Sequence, residues 1–413
     1  MYKRRVDLVY ALSPEGQRHL DSLARDFGDY SAAHEMAARG ALTKAGVAAP
    51  NIPELLTQWE LRSLASAKFG PDSRRLAFTR AGFEQATRAS VADLHAQHFV
   101  EAGLTHVIDA GCGIGSDSLA FARAGLSVTA IELDPLTAAV AEFNLRDYPR
   151  AQVICADAYS LDFKEFGADA LWLDPARRGP RGRISDPEKW FPPLSHAITL
   201  AQSFQGAGIK VAPGISYDAL PTTTLADWAS IDHSLVECCI WLGACAPEPG
   251  RRAWVGESTD STNVKWHVLD SKATTASADA EQIEPVSLGE LIVEPDPAII
   301  RAGGLAQFAR SHGLAPISPG IAYLTGATAN APAPSSAQSF AVHAVLPLDP
   351  KAVKKYLREH EIGSVEIKKR GVDVTPETFR QRLKLDKNAS GAATLILAPV
   401  MGKRQTIVAS RLP

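Results

Sequence analysis

An acidic residue followed by three alternating glycines is the first place in this chain where residue types and spacing could do chemistry. In Val107-Ile108-Asp109-Ala110-Gly111-Cys112-Gly113-Ile114-Gly115-Ser116 an apolar strand runs into Asp109, then into Gly111, Gly113 and Gly115. A helical pattern from Asp117 to Arg123 follows at once. Strand, glycine turn and helix form the first half of a βαβ nucleotide-binding unit, in which bare backbone amides and a helix N-terminus face the ligand. The glycines fall as G-x-G-x-G, and Ser116 stands where a dinucleotide fingerprint has its third glycine. Asp109, two residues before the first glycine, suits a ligand carrying an ammonium group better than a pyrophosphate. A second strand, Val128-Thr129-Ala130-Ile131-Glu132, ends in an acid 21 residues after Gly111, placed to hydrogen-bond ribose hydroxyls. A third, Ala151 to Ala156, is closed by Asp157, and a fourth, Ala170 to Leu173, by Asp174-Pro175-Ala176-Arg177. One acid at a strand end is an ordinary polar terminus. Four in order form a binding constellation.

That constellation resembles the class I S-adenosylmethionine (SAM) methyltransferases. The resemblance implies SAM as cofactor, with Asp109 on the methionine ammonium, Gly111, Gly113 and Gly115 admitting it to the backbone, Glu132 on the ribose and Asp157 on the adenine amine. Phe78 to Thr87 leads into a helix through about Ala102, where such enzymes cover the cofactor, so Gln85 and Thr87 are candidate contacts; a helix start with a local cap is the competing reading. Methyl transfer is an in-line displacement, so the protein mainly positions the acceptor and excludes water. The acceptor belongs beyond the fourth strand, which makes Asp174 and Arg177 the candidate catalytic pair. An Asp-Pro-Pro-aromatic box would argue for an exocyclic base amine, with the ring stacked on the base. Here Ala176 and Arg177 replace the Pro-aromatic pair, and stacking would have to come from Trp190, Phe191 or a guanidinium plane. Asp-Pro-Ala-Arg is also similar to the box of uracil-C5 RNA methyltransferases, but those need a cysteine after the fifth strand. Val211-Ala212-Pro213-Gly214-Ile215-Ser216 has none, and Cys238 and Cys239 lie on a later strand. Arg177, Arg178, Arg181 and Arg183, interrupted by glycine and proline, form a cationic rim suited to phosphates.

The elements that must position these residues read as α/β. Residues 1–80 look helical, with helices opening at Pro14-Glu15, over Tyr30 to Lys44 and over Ile52 to Lys68; the last carries Leu55, Leu56, Trp59, Leu61 and Leu64 as an apolar stripe. Residues 81–256 alternate short apolar strands with helices and predict a doubly wound, Rossmann-like parallel sheet. Ile209 to Ala212 is its fifth strand, and Leu235 to Leu242 with Ala253 to Val255 its closing antiparallel pair. Residues 257–285 read as an edge strand and linker. Residues 286–413 read as an α+β domain, with strands at Leu288 to Val293, Ala341 to Leu346, Ser364 to Lys368, Ala393 to Ala398 and Gln405 to Ser410. Helices are expected at Pro350 to His360 and Thr375 to Leu383, and a loop at Ala327 to Ser339.

Charge separates the two ends. Residues 351–413 hold 14 Lys/Arg against 6 Asp/Glu, a net of +8 on a chain whose total is −3. A basic end on an acidic body suggests a local polyanion-binding surface, against the plainer reading of a solvated charged face. An apolar fraction of 46% with 22% charged residues is ordinary for a globular protein of 413 residues, long enough for two or three domains. No run reaches the ~20 apolar residues of a membrane span, no signal peptide is evident, and the five cysteines show no metal-binding or C-x-x-C spacing. These point to a cytoplasmic protein with free thiols, no membrane and no metal; the oligomeric state stays open. From about residue 50 onward the chain resembles the bacterial class I methyltransferases that carry a C-terminal THUMP-like domain. The resemblance rests on Phe78 to Thr87, the glycine run, Asp174 to Arg178 and Val211 to Gly214, and on Glu294-Pro295-Asp296-Pro297 through Gly303, Lys368-Lys369-Arg370-Gly371 and Phe379 to Leu385. It implies RNA, tRNA or rRNA, as partner, gripped by Lys368, Lys369, Arg370, Arg380, Arg382 and Lys384 alongside Arg178, Arg181 and Arg183. Two other expectations stand beside it: methylation of a small molecule or protein side chain, and a SAM- or RNA-binding module without catalysis.

Overall fold

The computed structural model describes residues 8–179, 182–260, 263–271, 273, 283–326, 336–386 and 388–412. It opens with helices α1 (Val9–Leu12), α2 (Pro14–Phe27), α3 (Glu35–Lys44) and α4 (Ile52–Phe69). Proline sits at the start of α2 and the Ser13 hydroxyl accepts from Gly16 N–H, which fixes that start as the sequence predicts. Helix α3 begins five residues later than expected, at Glu35. The α4 stripe buries Leu55, Leu56, Trp59 and Leu61 but leaves Leu64 49% exposed. Three of its polar residues, Glu54, Gln58 and Arg62, are buried too: Gln58 bonds both N–H and C=O of Phe78, and Arg62 donates to the Leu76 carbonyl. Helix α4 therefore holds residues 76–78 as a neighbouring strand would.

The helix expected after Phe78 to Thr87, running through about Ala102, is α6 (Ala89–Glu101), and a separate short helix, α5 (Arg80–Gln85), lies within the segment that leads into it. The break stands on Lys68, whose ammonium caps the end of α5 by donating to the carbonyls of Phe83, Glu84 and Ala86. Then come β1 (His106–Ala110), α7 (Ser116–Arg123), β2 (Ser127–Glu132), α8 (Pro135–Leu145), β3 (Ala151–Cys155) and β4 (Ala170–Leu173). A two-residue hairpin, β5 (Arg178–Gly179) with β6 (Gly182–Arg183), follows, then α9 (Leu194–Ala201) and β7 (Gly206–Val211). Strands β3, β2, β1, β4 and β7 pair in that order, all parallel. Their near-continuous apolar sequences suit a sheet covered on both faces.

The closing strands differ from expectation. Beyond β7 the sheet continues with β9 (Ser234–Gly243), β8 (Leu225–Ile231), β10 (Gly250–Ser258) and β11 (Val264–Asp270). The antiparallel pair is β8 with β9, and β10 lies outside it, parallel to β8. Strand β8, buried at every position, carries Asp227 and Ser230 within its apolar residues, and those polar positions concealed it from the sequence reading. Gly208 on β7 sits between two tryptophans, its register partners Trp172 on β4 and Trp241 on β9. A Cβ there would lie 2.5 Å from the Trp241 ring and 2.7 Å from the Trp172 ring. Gly208→Ala is therefore expected to cost about 1–3 kcal/mol through overpacking, read as a lower urea midpoint at unchanged slope; an unmoved midpoint would show that the tryptophans can give way.

The second sheet runs β13 (Ala315–Pro316), β14 (Leu324–Gly326), β12 (Leu291–Pro295), β15 (Ala337–Pro347), β18 (Lys403–Arg411), β17 (Gly391–Val400) and β16 (Ile362–Lys369). Only β16 and β17 pair in parallel. Helices α12 (Pro350–Glu359) and α13 (Pro376–Leu383) cover one face through Val353, Leu357, Phe379 and Leu383. The strands and helices expected after residue 340 are all found, with bounds that differ by at most four residues. Helices α10 (Pro297–Arg301) and α11 (Leu305–Ser311) and the short strands β13 and β14 were not foreseen. Of the loop expected over 327–339, residues 327–335 lie outside the described residues, and β15 already begins at Ala337. The Glu294 to Gly303 motif joins the sheets. Asp296, fully buried, caps α10 and accepts from Ser230, while Arg301 donates to the carbonyls of Pro213 and Ile215.

Candidate active site

Gly111, Gly113 and Gly115 all have positive φ, at 92°, 58° and 82°, which favours glycine at each. At Gly111 and Gly113 an added Cβ would meet nothing within 4 Å, so the turn faces open space beyond the strand ends. Gly115 precedes α7 and packs on Ala141 of α8. The Glu132 carboxylate braces this turn: Gly113 N–H donates to one oxygen at 3.0 Å, and Asp134 N–H to the other at 2.9 Å. Asp157, exposed after β3, accepts from Tyr159 N–H and caps a short turn.

Asp109 is buried at the end of β1 and accepts from the Ser118 hydroxyl at 2.5 Å. Burial first, then the negative field of Asp117, push its carboxyl up to about 8; the Ser118 hydrogen bond and Lys210 restrain the shift. A cation beside it would favour the ionised form. An ammonium is such a cation.

Beneath the turn runs a buried polar chain that sequence reasoning missed. Asp174, half-buried, forms an ion pair through Oδ2 with the Nζ of Lys210 on β7. Lys210 donates also to the Thr87 hydroxyl at 3.1 Å, and Thr87 donates to Asp117 Oδ2 at 2.7 Å. Asp117 Oδ1 meets His95 Nδ1 at 2.7 Å, and His95 Nε2 meets Glu237 Oε1 at 2.5 Å. Burial opposes the charge on Lys210 and His95, but the surrounding carboxylates outweigh it: both are held protonated, His95 with its pKa raised to about 9. His95, Glu237 and Cys239 place metal-ligand atoms within 4.8 Å of one another. His95, held protonated, donates to the Glu237 carboxylate in a charge-assisted hydrogen bond. A sequence signal existed for Lys210 and Glu237, each a charge inside an apolar strand. His95, on a helix, gave none.

The other expected residues divide. Thr87 is turned into the buried chain, its hydroxyl engaged by Lys210 and Asp117. Gln85 is exposed at the end of α5. Arg177 is half-buried, with its carbonyl accepting from Ile184 N–H. Arg178 and Arg183 are register partners in the β5–β6 hairpin, and Arg181 lies outside the described residues. Lys368 and Arg370, both half-buried, pair with Glu294 at 2.8 and 3.1 Å and lie over the rings of Phe340 and Tyr323. Lys369, Arg382 and Lys384 are exposed, as is Arg380, which also donates to the Val365 carbonyl. Lys351, Lys354, Lys355 and Arg358, which the sequence reading counted but did not place, follow the i, i+3, i+4, i+7 spacing that lays them along one stripe of α12.

Residues 107–175 match the methyltransferase domain model and residues 337–411 the THUMP domain-like model. Proteins from two strains of Mycobacterium tuberculosis, described as uncharacterized S-adenosylmethionine-dependent methyltransferases, are each 28% identical over 314 residues, covering 75% of this chain and 81% of theirs. The chain is a class I SAM-dependent methyltransferase with a C-terminal THUMP-like domain. Its fold is shared from end to end with a crystal structure from Porphyromonas gingivalis W83, named as a candidate methyltransferase, at a TM-score of 0.71 and 19% identity, covering 97% of this chain and 98% of that one. Among the described residues of this methyltransferase, no helix is long and apolar enough to cross a membrane.

Proposed function

We propose that this methyltransferase modifies a nucleotide in structured RNA, tRNA or rRNA. The observation that carries the reading is the solvent-facing basic surface of the THUMP-like domain, with the α12 stripe Lys351, Lys354, Lys355 and Arg358 and the exposed Lys369, Arg382 and Lys384. Lysines and arginines in rows suit a phosphate backbone.

The residues at the strand ends fit the cofactor: an open glycine turn, a buried carboxyl poised to ionise beside an ammonium, and acids after β2 and β3. In this reading Asp109 holds the ammonium, Gly111, Gly113 and Gly115 admit the methionine moiety, Glu132 takes the ribose and Asp157 the adenine, with Gln85 at the rim. When bound, SAM supplies an electrophilic methyl group on a sulfonium. Asp174, with one oxygen pinned by Lys210, receives an acceptor N–H and fixes the direction of the nitrogen lone pair. Arg177 steadies the adjoining phosphate.

Methyl-labelled SAM offered to tRNA, rRNA, protein and small-molecule fractions from a strain lacking the gene tests the substrate class. Label entering one RNA fraction, and only with intact Asp174, is the expected result; label in protein or small molecules sinks the RNA reading. Reversing charge at Lys354, Lys355 and Arg358 together should weaken binding to that RNA about tenfold or more and lower the salt slope by about 2–3. An unchanged slope, measured by filter binding, moves the contact elsewhere.

A further inference from the structure

Phe191 is 62% exposed, whereas the preceding Trp190 is 3% exposed and donates its indole N–H to the Ile184 carbonyl at 2.9 Å. Successive residues of an extended segment point to opposite sides, so the buried tryptophan anchors the chain and aims the phenylalanine outward. Phe191 is also tied to the acceptor box. Ala176 N–H donates to the Phe191 carbonyl at 2.8 Å, and Phe191 N–H to the Ala176 carbonyl at 3.1 Å. This two-bond bridge sets the ring beside a residue two positions from Asp174. Tyr159, from the turn capped by Asp157, meets Phe191 edge to face, with centroids 5.4 Å apart and planes at 80°. Single exposed apolar residues are common on protein surfaces. A rigidly bridged one between two candidate ligand-binding strand ends, supported from the side by a second ring, is a platform.

We infer that Phe191, backed by Tyr159, is a stacking site for the planar ring of the methyl acceptor, an unpaired nucleobase whose N–H edge turns to Asp174. The inference rests on the nucleic-acid reading above and narrows it to a base with an N–H donor. The ring missing from the position after Asp174-Pro175-Ala176 is supplied across the bridge, from 14 residues further along the chain. Stacking on an aromatic side chain tolerates any base, so Phe191 supplies affinity and orientation while Asp174 discriminates the edge. Loop bases, already unstacked, are the least costly to present.

The test uses an RNA hairpin with 2-aminopurine in its loop and a dye at one end, added to the full-length protein with S-adenosylhomocysteine. Overall binding is read from dye anisotropy and stacking from quenching of the 2-aminopurine. Quenching is expected with the unaltered protein and with Phe191→Trp, and its loss with Phe191→Ala and Phe191→Leu. Hairpin affinity should fall about tenfold in the last two, while S-adenosylhomocysteine affinity stays level in all four. Hairpin binding with quenching indifferent to Phe191→Ala overturns the stacking site alone. Loss of S-adenosylhomocysteine affinity in step with hairpin affinity reassigns the ring to the cofactor and also overturns it. No hairpin binding by the unaltered protein fails the nucleic-acid reading and takes this inference with it.

Discussion

Asp174→Asn should lower kcat by about two to three orders of magnitude while leaving SAM affinity within a few-fold. The replacement keeps the shape and removes the charge that Lys210 pins and that the acceptor N–H is proposed to meet. Lys210→Met should lose activity by a comparable factor from the other side, because an unpinned Asp174 samples several rotamers. It should also cost about 3–5 kcal/mol of stability, since it strips a buried cation from among Asp174, Asp117 and Glu237. The double variant separates the two effects. Removing both partners leaves fewer uncompensated charges, so part of the stability returns, while kcat stays near that of the worse single variant. Single-turnover rates with the RNA fraction that accepts label, beside calorimetric SAM affinities, give both numbers. Should Asp174→Asn instead weaken SAM binding as much as it slows turnover, Asp174 belongs to the cofactor site.

The sequence carried the parallel sheet and its glycine turn because each rests on a local rule. An apolar run ending in an acid and a glycine needs no distant partner to be read. The second half of the THUMP-like sheet was equally plain, since Gly391–Val400 and Lys403–Arg411 carry short apolar runs of strand length, Ile362–Lys369 sets Val365 and Ile367 among polar residues, and prolines open α12 and α13. Legibility failed where long-range contacts outweighed pattern. Strand β8 hides two polar residues that are satisfied only in the fold, Asp227 by His98 and Arg252, and Ser230 by Asp296. Lys368 and Arg370 look like a solvent-facing basic run until Glu294, more than 70 residues away in sequence, turns them inward. The chain from Asp174 through Lys210, Thr87, Asp117 and His95 to Glu237 draws on five separate stretches, and no spacing rule connects them.

SAM binding should tighten on the order of twentyfold from pH 6 to pH 8 and weaken again above it. The acid limb belongs to Asp109, whose carboxyl is held up to about 8 by burial and by Asp117. An ammonium needs that group ionised, so affinity rises close to tenfold per pH unit while Asp109 is mostly protonated. The alkaline limb belongs to the ligand, whose α-amino group loses its proton near the ordinary value of about 8. Asp109→Asn should abolish the acid limb, keep the alkaline one and lower affinity at pH 8. Titration calorimetry at pH 7 in buffers of differing ionisation enthalpy gives an independent reading, with close to one proton released per SAM bound. The stability linkage has the same sign. A carboxyl raised in the folded state destabilises the unliganded fold progressively as pH climbs from the ordinary carboxylate range toward 8. Bound SAM offsets that loss, so its thermal protection should be larger at pH 8 than at pH 6. Protection independent of pH, with no proton released, would mean that Asp109 is already ionised before the ligand arrives, and the buried carboxyl would then be balanced by Lys210 from within the fold.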